Sequence, residues 1–322
     1  MYDLIIIGSG PAGLSAAVYG KRAGFDVVVI EMNPMSGGQV LNTYEVDNYL
    51  GMPGMNGFDM GMEFKKHAEG MGVEFVNARV SRIEKLENQY FNIITGDDST
   101  DTSVTNDADS PSDKFKTKSI IVATGATHAL LNVPGEEQHT GRGVSYCATC
   151  DGAFFRNKTV AVVGGGDVAA EDAVFLSRMC EKVYLIHRRD SLRAAKILQD
   201  RLFVCDNVEI IWDSVVEEIE GNEQVESIRL HNVKEDKHET KAVDGVFIAI
   251  GLNPNSGFVR DIVECDEGGY IIAGEDCVTK TPGVFAAGDV RTKGLRQIVT
   301  AVADGANAVA SVERYLLDKP QK

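Results

Sequence analysis

Leu4-Ile5-Ile6-Ile7-Gly8-Ser9-Gly10-Pro11-Ala12-Gly13 passes directly from four apolar residues into three closely spaced glycines, and the reading of this stretch decides the fold. The apolar run has the length of a buried strand, and the small and apolar residues after Gly13 suit a helix. The glycines meet separate demands: a tight turn at Gly8, close approach of a diphosphate at Gly10, and packing of helix against strand at Gly13. Around Ser9, Pro11 and Ala12 the helix N-terminus offers free N–H groups and a partial positive charge to an anion. The next strand, Val27-Val28-Val29-Ile30, ends at Glu31, a carboxylate placed to accept hydrogen bonds from a ribose.

The same frame recurs at Val160-Ala161-Val162-Val163-Gly164-Gly165-Gly166-Asp167, followed by a helix through Met179 and the strand Val183 to Ile186 ending at His187. Gly164 stands as far beyond Gly8 as His187 stands beyond Glu31, so the two units are built alike. Each is followed later by an apolar strand that stops on a glycine, at Gly125 and at Gly251. Near-continuous apolar runs of this kind suit parallel sheets covered on both faces. The fold class is therefore α/β: two doubly wound Rossmann-like domains, the second inserted into the first. A third glycine motif, Gly283 to Asp289 with Gly288 inside it, and a helix from about Gln297 to Leu317 come after the second unit and complete the first domain. The expected boundaries are 1–129 and 255–322 for the outer domain and 130–254 for the inserted one, joined by two crossings able to act as a hinge.

The units differ where a ribose would lie. In place of Glu31 the second has His187-Arg188-Arg189, with Arg193 one helical turn on. A carboxylate would repel a 2′-phosphate, whereas guanidinium groups hold it through charge-assisted hydrogen bonds, so this domain should select NADPH over NADH.

The formal net charge of −16 over 322 residues argues against nucleic acid or anionic lipid as a partner. No apolar run approaches the length of a membrane span, and the first strand begins almost at Met1 with no basic leader, so the expected location is the cytoplasm. Of six cysteines only Cys147 and Cys150 stand close together; Cys180, Cys205, Cys265 and Cys277 read as small buried apolar side chains. Two thiols separated by two residues can cycle between dithiol and disulfide. Zinc, the competing use of that spacing, needs two further ligands that no second pair supplies, so no metal is expected. Asp151, next to Cys150, is placed either to move the exchange proton or to cap a turn. The Asp-, Ser- and Thr-rich stretch 96–113 reads as a solvated surface loop.

GSGPAG at Gly8, GGQ at Gly37 to Gln39, ATGA at Ala123, CATCDG at Cys147, GGGD at Gly164, HRRDSLRA at His187, GVFAAGDV at Gly283 and Arg296-Gln297 follow one another in an order that resembles the low-molecular-weight thioredoxin reductases over nearly the whole chain. The resemblance implies FAD in the outer domain, on the Gly8 turn and Glu31, with Gly38, Gln39, Asn48, Gly125, Asp289, Arg296 and Gln297 lining the remainder. It implies NADPH on Gly164, Gly166, Asp167, His187, Arg188, Arg189 and Arg193. Cys150 would then face the flavin and Cys147 attack thioredoxin, which would dock near Arg142 and the Phe154-Phe155 pair. A homodimer is implied too. Reductases serving another thioredoxin-like or peroxiredoxin-linked protein, or driven by ferredoxin, are the rival readings. Two departures stand out: the long acidic stretch after Gly96, and Val168 where a small polar residue is common.

Overall fold

A computed structural model describes residues 1–43, 46–87, 89–96 and 114–318. The acidic stretch 97–113 lies outside the described residues. The chain divides into two compact units, Met1–Thr43 with Met55–Thr127 and Asn253–Lys322 in one, and Tyr44–Gly54 with His128–Leu252 in the other.

The first unit is organised by a seven-stranded sheet. Its order is Glu74–Asn77, Val27–Glu31, Tyr2–Ile7, Lys114–Val122, Phe91–Thr95 and Val80–Lys85, and Val284–Ala286 also pairs with Lys114–Val122. The central members are parallel, with Leu4 beside Val27 and Ile120 beside Val284. Because side chains alternate across a strand, the quoted run feeds both faces at once: Leu4 and Ile6 enter one apolar cluster, Ile5 and Ile7 another. All four are under 5% exposed, and each fully buried aliphatic side chain contributes about 1.5–3 kcal/mol. The helices Pro11–Arg22 and Ile298–Leu317 pack closely on one face. Gly305 permits this approach, since a Cβ there would lie 2.3 Å from the Ala12 carbonyl oxygen.

The second unit has an all-parallel five-stranded sheet in the order Val208–Ile211, Lys182–Ile186, Thr159–Val163, Gly245–Ile248 and Val144–Ser145. The helix Asp167–Ser177 lies against it, and Val160 and Val162 enter a different cluster from Ala161 and Val163. An antiparallel meander, Ser214–Gly221, Val225–Asn232 and Lys237–Ala242, was not foreseen in the sequence. Its strands alternate buried and exposed residues instead of forming continuous apolar runs.

Candidate functional site

In the first unit Gly8 takes φ +102°, and a Cβ there would sit 2.5 Å from the Ala123 carbonyl oxygen. Two strand ends therefore close together over the turn. Gly10 has open space where its Cβ would be, and Gly38 lies close by, since a Cβ on Gly38 would sit 3.2 Å from the Gly10 Cα. Among the described residues no atom comes within 4 Å of that Cβ position, which makes a cradle at a helix N-terminus. Pro11 and Ala12 open the helix behind it.

Glu31 is already engaged. One carboxylate oxygen accepts from the Ser9 amide at 2.8 Å and the Ser9 hydroxyl at 2.7 Å, and the other accepts from the Asn33 amide and side chain at 2.9 and 3.0 Å. These four donors take its acceptor sites, so a ribose hydroxyl joins by displacing one of them. Sequence reasoning had not anticipated Asn33.

Asp289 follows Gly288 at the C-terminal edge of the sheet, and burial pushes its carboxyl above the usual carboxylate range, against the pull of Lys293 and Arg296. Its Oδ1 is buried without a hydrogen-bond partner, as is Nε of Arg296, whose guanidinium lies 4.2 Å from the centre of the Tyr270 ring. Two orphaned polar atoms of opposite character beside a nucleotide cradle fit a ligand with both hydroxyl and phosphate groups, as FAD has. Gln297 caps the last helix through a reciprocal pair of bonds with Thr300. Gly125, at φ +67°, has open space at its Cβ, while Gln39 is exposed in a short 3-10 turn. Asn48 falls in the segment that clusters with the second unit.

A buried ion cluster holds the Gly288 turn from behind. Asp304, on the last helix, accepts from the Gly288 amide at 2.8 Å, from Arg291 Nε and Nη2 at 2.8 and 2.7 Å, and from Lys293 Nζ at 2.9 Å. Burial would raise the Asp304 carboxyl, but hydrogen bonds from Arg291 and Lys293 outweigh it and hold the group below its ordinary value.

In the second unit Gly164 repeats the Gly8 turn, with a Cβ position 2.4 Å from the Ala249 carbonyl oxygen, and Gly166 repeats the open position of Gly10. Asp167 opens the helix, and its carboxylate accepts from the Ala195 amide at 2.7 Å. It thus ties down the loop that carries the arginines. His187 turns inward, contrary to a direct role on the phosphate. The ring is buried, packs where a Gly165 Cβ would be at 2.1 Å, contacts Trp212 edge-on and has Nε2 3.0 Å from the Ser191 carbonyl. Burial pushes its pKa below the ordinary histidine value. Arg188, Arg189 and Arg193 are exposed, and among the described residues no carboxylate pairs with them. Three unneutralised guanidiniums beside the glycine turn suit a 2′-phosphate.

Cys147 and Cys150 form a disulfide. Cys147 is the N-cap of the single helical turn Ala148–Asp151, and the amides of Cys150 and Asp151 donate to its carbonyl. Asp151 is held by Ser145, whose hydroxyl donates to the carboxylate at 2.6 Å and also accepts from the Cys147 amide at 3.1 Å. Burial raises the Asp151 carboxyl and the Ser145 hydrogen bond only partly offsets that. Ser145 escaped notice because a lone serine six residues from an aspartate has no pattern. Phe154 is exposed but Phe155 is not: it packs edge-on against Phe247 in the core, which removes it from the expected docking surface. Cys180 and Cys277 are buried thiols, whereas Cys205 and Cys265 are only half-buried.

The family model for pyridine nucleotide-disulphide oxidoreductases matches residues 2–305. A thioredoxin reductase of Listeria innocua is 43% identical over 98% of this chain and 94% of its own, and one of Bacillus subtilis is 40% identical over 98% of this chain. The crystal structure of thioredoxin reductase from Streptococcus pyogenes superposes with a TM-score of 0.90 at 45% identity, covering 99% of each chain.

Proposed function

Since the chain belongs to the pyridine nucleotide-disulphide oxidoreductases, and within them to the thioredoxin reductases, we propose that Cys147 and Cys150 deliver the electrons and that Asp151 manages the accompanying proton. The chain is an NADPH-dependent, FAD-containing enzyme whose substrate is the disulfide of thioredoxin. Bound FAD would supply a two-electron link between the nicotinamide and a disulfide. Gly8, Gly10, Glu31, Asp289 and Arg296 would hold FAD, and Gly164, Gly166, Arg188, Arg189 and Arg193 would hold NADPH.

Once the Cys147–Cys150 bond is reduced, the Cys147 thiolate attacks one sulfur of the thioredoxin disulfide and expels the other as a thiolate. The Cys150 thiolate then attacks Cys147 in the mixed disulfide. That step re-forms the Cys147–Cys150 bond and frees thioredoxin as a dithiol. Two protons must reach the leaving sulfurs. A carboxyl that burial holds above its ordinary pKa, fixed by Ser145 and in the residue next to Cys150, is suited to supply and recover one of them.

The observation that carries this reading is the closed disulfide on a helical turn with its neighbouring carboxylate held in place. Cys147→Ser and Cys150→Ser should each reduce thioredoxin turnover to background while NADPH still bleaches the flavin. Thioredoxin reduction at the parent rate in either variant would refute the route. No described helix is long and apolar enough to cross a membrane. The proposal extends, on family resemblance, to a homodimer acting in the cytoplasm; sedimentation of the holoenzyme tests the dimer.

A further inference from the structure

His231 and His238 face each other in direct register across the hairpin formed by Val225–Asn232 and Lys237–Ala242. Their rings stack with 4.6 Å between centroids and 13° between planes. Alternation along the strand sends Ile228 and Leu230 into the core and the histidines to the other face. The adjoining strand Ser214–Gly221 has a bulge between Val216 and Glu218, a device that re-aims a side chain. The residue it frees, Glu217, places one carboxylate oxygen 3.0 Å from His238 Nδ1 and the other 3.6 Å from His231 Nδ1. In the hairpin turn Asp236 takes φ 53° and brings its carboxylate 2.9 Å from His231 Nε2. Three strand-level features therefore converge on one spot.

We infer that this cluster is a binding site for a divalent transition-metal ion, with His231, His238 and Asp236 as ligands and Glu217 orienting the two rings through their Nδ1 atoms. One donor atom from each of the three ligands lies within 4.8 Å of the other two. Tetrahedral zinc, with bonds of about 2.0–2.1 Å, needs ligand atoms roughly 3.3 Å apart. The contraction is available because the Asp236 and His238 side chains are 91% and 56% exposed, so no packed core opposes a change of rotamer. Two imidazoles with one carboxylate suit zinc, copper or nickel, whereas magnesium and calcium prefer oxygen alone. Among the described residues no lysine or arginine pairs with Asp236. The nearest cations are already committed, Arg229 to Glu218 and more distantly Glu217, and Lys237 to Glu235. A bound ion would join the two strands of the hairpin to the turn between them, and its exposure leaves room for water as a further ligand.

The test uses the oxidised, FAD-loaded full chain, in which the closed Cys147–Cys150 bond keeps those sulfurs from competing for metal. Zinc is titrated by calorimetry and by ¹⁵N resonances of the six histidines. The expected result is one zinc per chain, with ring shifts confined to His231 and His238. His238→Gln and Asp236→Asn should each weaken binding at least about tenfold, while Glu63→Gln leaves it unchanged. Zinc should raise the thermal midpoint of the parent but not of the two ligand variants. Absence of saturable binding, zinc that shifts neither ring, or undiminished affinity in His238→Gln would overturn the assignment. Should a variant fail to fold, the ring shifts in the parent protein decide alone.

Discussion

Replacing Asp304 by Asn preserves the shape of the side chain and an acceptor for the Gly288 amide, but deletes a charge that faces two cations. Arg291 and Lys293 have side chains only 1% and 3% exposed, and the other carboxylate in reach of Arg291, Glu275, is 85% exposed. Removing one member of a buried ion pair costs about 3–5 kcal/mol, chiefly because the partner stays buried and uncompensated. At roughly 2–4 °C per kcal/mol for a unit of this size, the thermal midpoint should fall by about 6–20 °C. Because Asp304 also fixes the Gly288 turn that precedes Asp289, the fall should be accompanied by easier loss of FAD. Circular dichroism melts and flavin fluorescence, recorded together, measure both. Replacing the whole cluster, with Asp304→Leu, Arg291→Met and Lys293→Met, should recover much of the loss, since no charge is then stranded. The acid side carries a sign as well. Asp304 has a depressed folded pKa, so its stabilisation is complete above the ordinary value of 3.8 and is lost as pH falls through the lower folded one. A melt of Asp304→Asn within 2 °C of the parent at neutral pH would refute the assignment of stability to this cluster.

Asp151→Asn should slow thioredoxin reduction by about 10²-fold or more while leaving NADPH-driven flavin bleaching intact. Ser145→Ala removes a bond that lowers the Asp151 carboxyl, so the Asp151 limb of the pH–rate profile should move to higher pH; an unmoved profile would exclude Asp151 as the titrating group. Arg188→Ala and Arg193→Ala should each raise the NADPH KM about tenfold or more, with NADH kinetics unchanged, as steady-state assays with both nucleotides will show. Gly165→Ala drives a methyl into the His187 ring and should cost about 1–3 kcal/mol in chemical denaturation of the second unit; a neutral effect would mean that the ring is free to move.

The α/β class was readable because a strand buried on both faces must be apolar throughout, and the runs at Leu4, Val160 and Val246 are of that kind. The glycine turns were readable for a related reason. Only glycine tolerates both the positive φ of Gly8 and the carbonyl pressed against it, so the residue type itself announces the geometry. The meander was harder to see, since strands exposed on one face mix polar and apolar residues and merge with the loops around them.

At the candidate site the sequence named residue types but not their orientation. His187 shared a run with two arginines, yet it faces the core while they face solvent, because the strand ends at Ile186 and the chain bends outward directly after His187. Phe154 and Phe155 also part, because successive residues of the 3-10 turn Gly152–Phe155 point about 120° apart. Glu31, Asp167 and Asp289 looked alike as nucleotide-site carboxylates. The first is saturated by protein donors, the second secures a loop, and the third keeps a buried oxygen unpartnered.

Local chain chemistry, by itself, determined the doubled strand–glycine–helix units, the contrast between Glu31 and the arginines, and the paired cysteines, for each is written within some thirty residues of contiguous sequence. Tertiary structure alone decided that Asp304 reaches Gly288 and Arg291, that Ser145 holds Asp151, and that a bulge turns Glu217 toward two histidines. Such contacts depend on register, helix rotation and burial, which are settled only when separate segments pack, and no spacing along the chain encodes them.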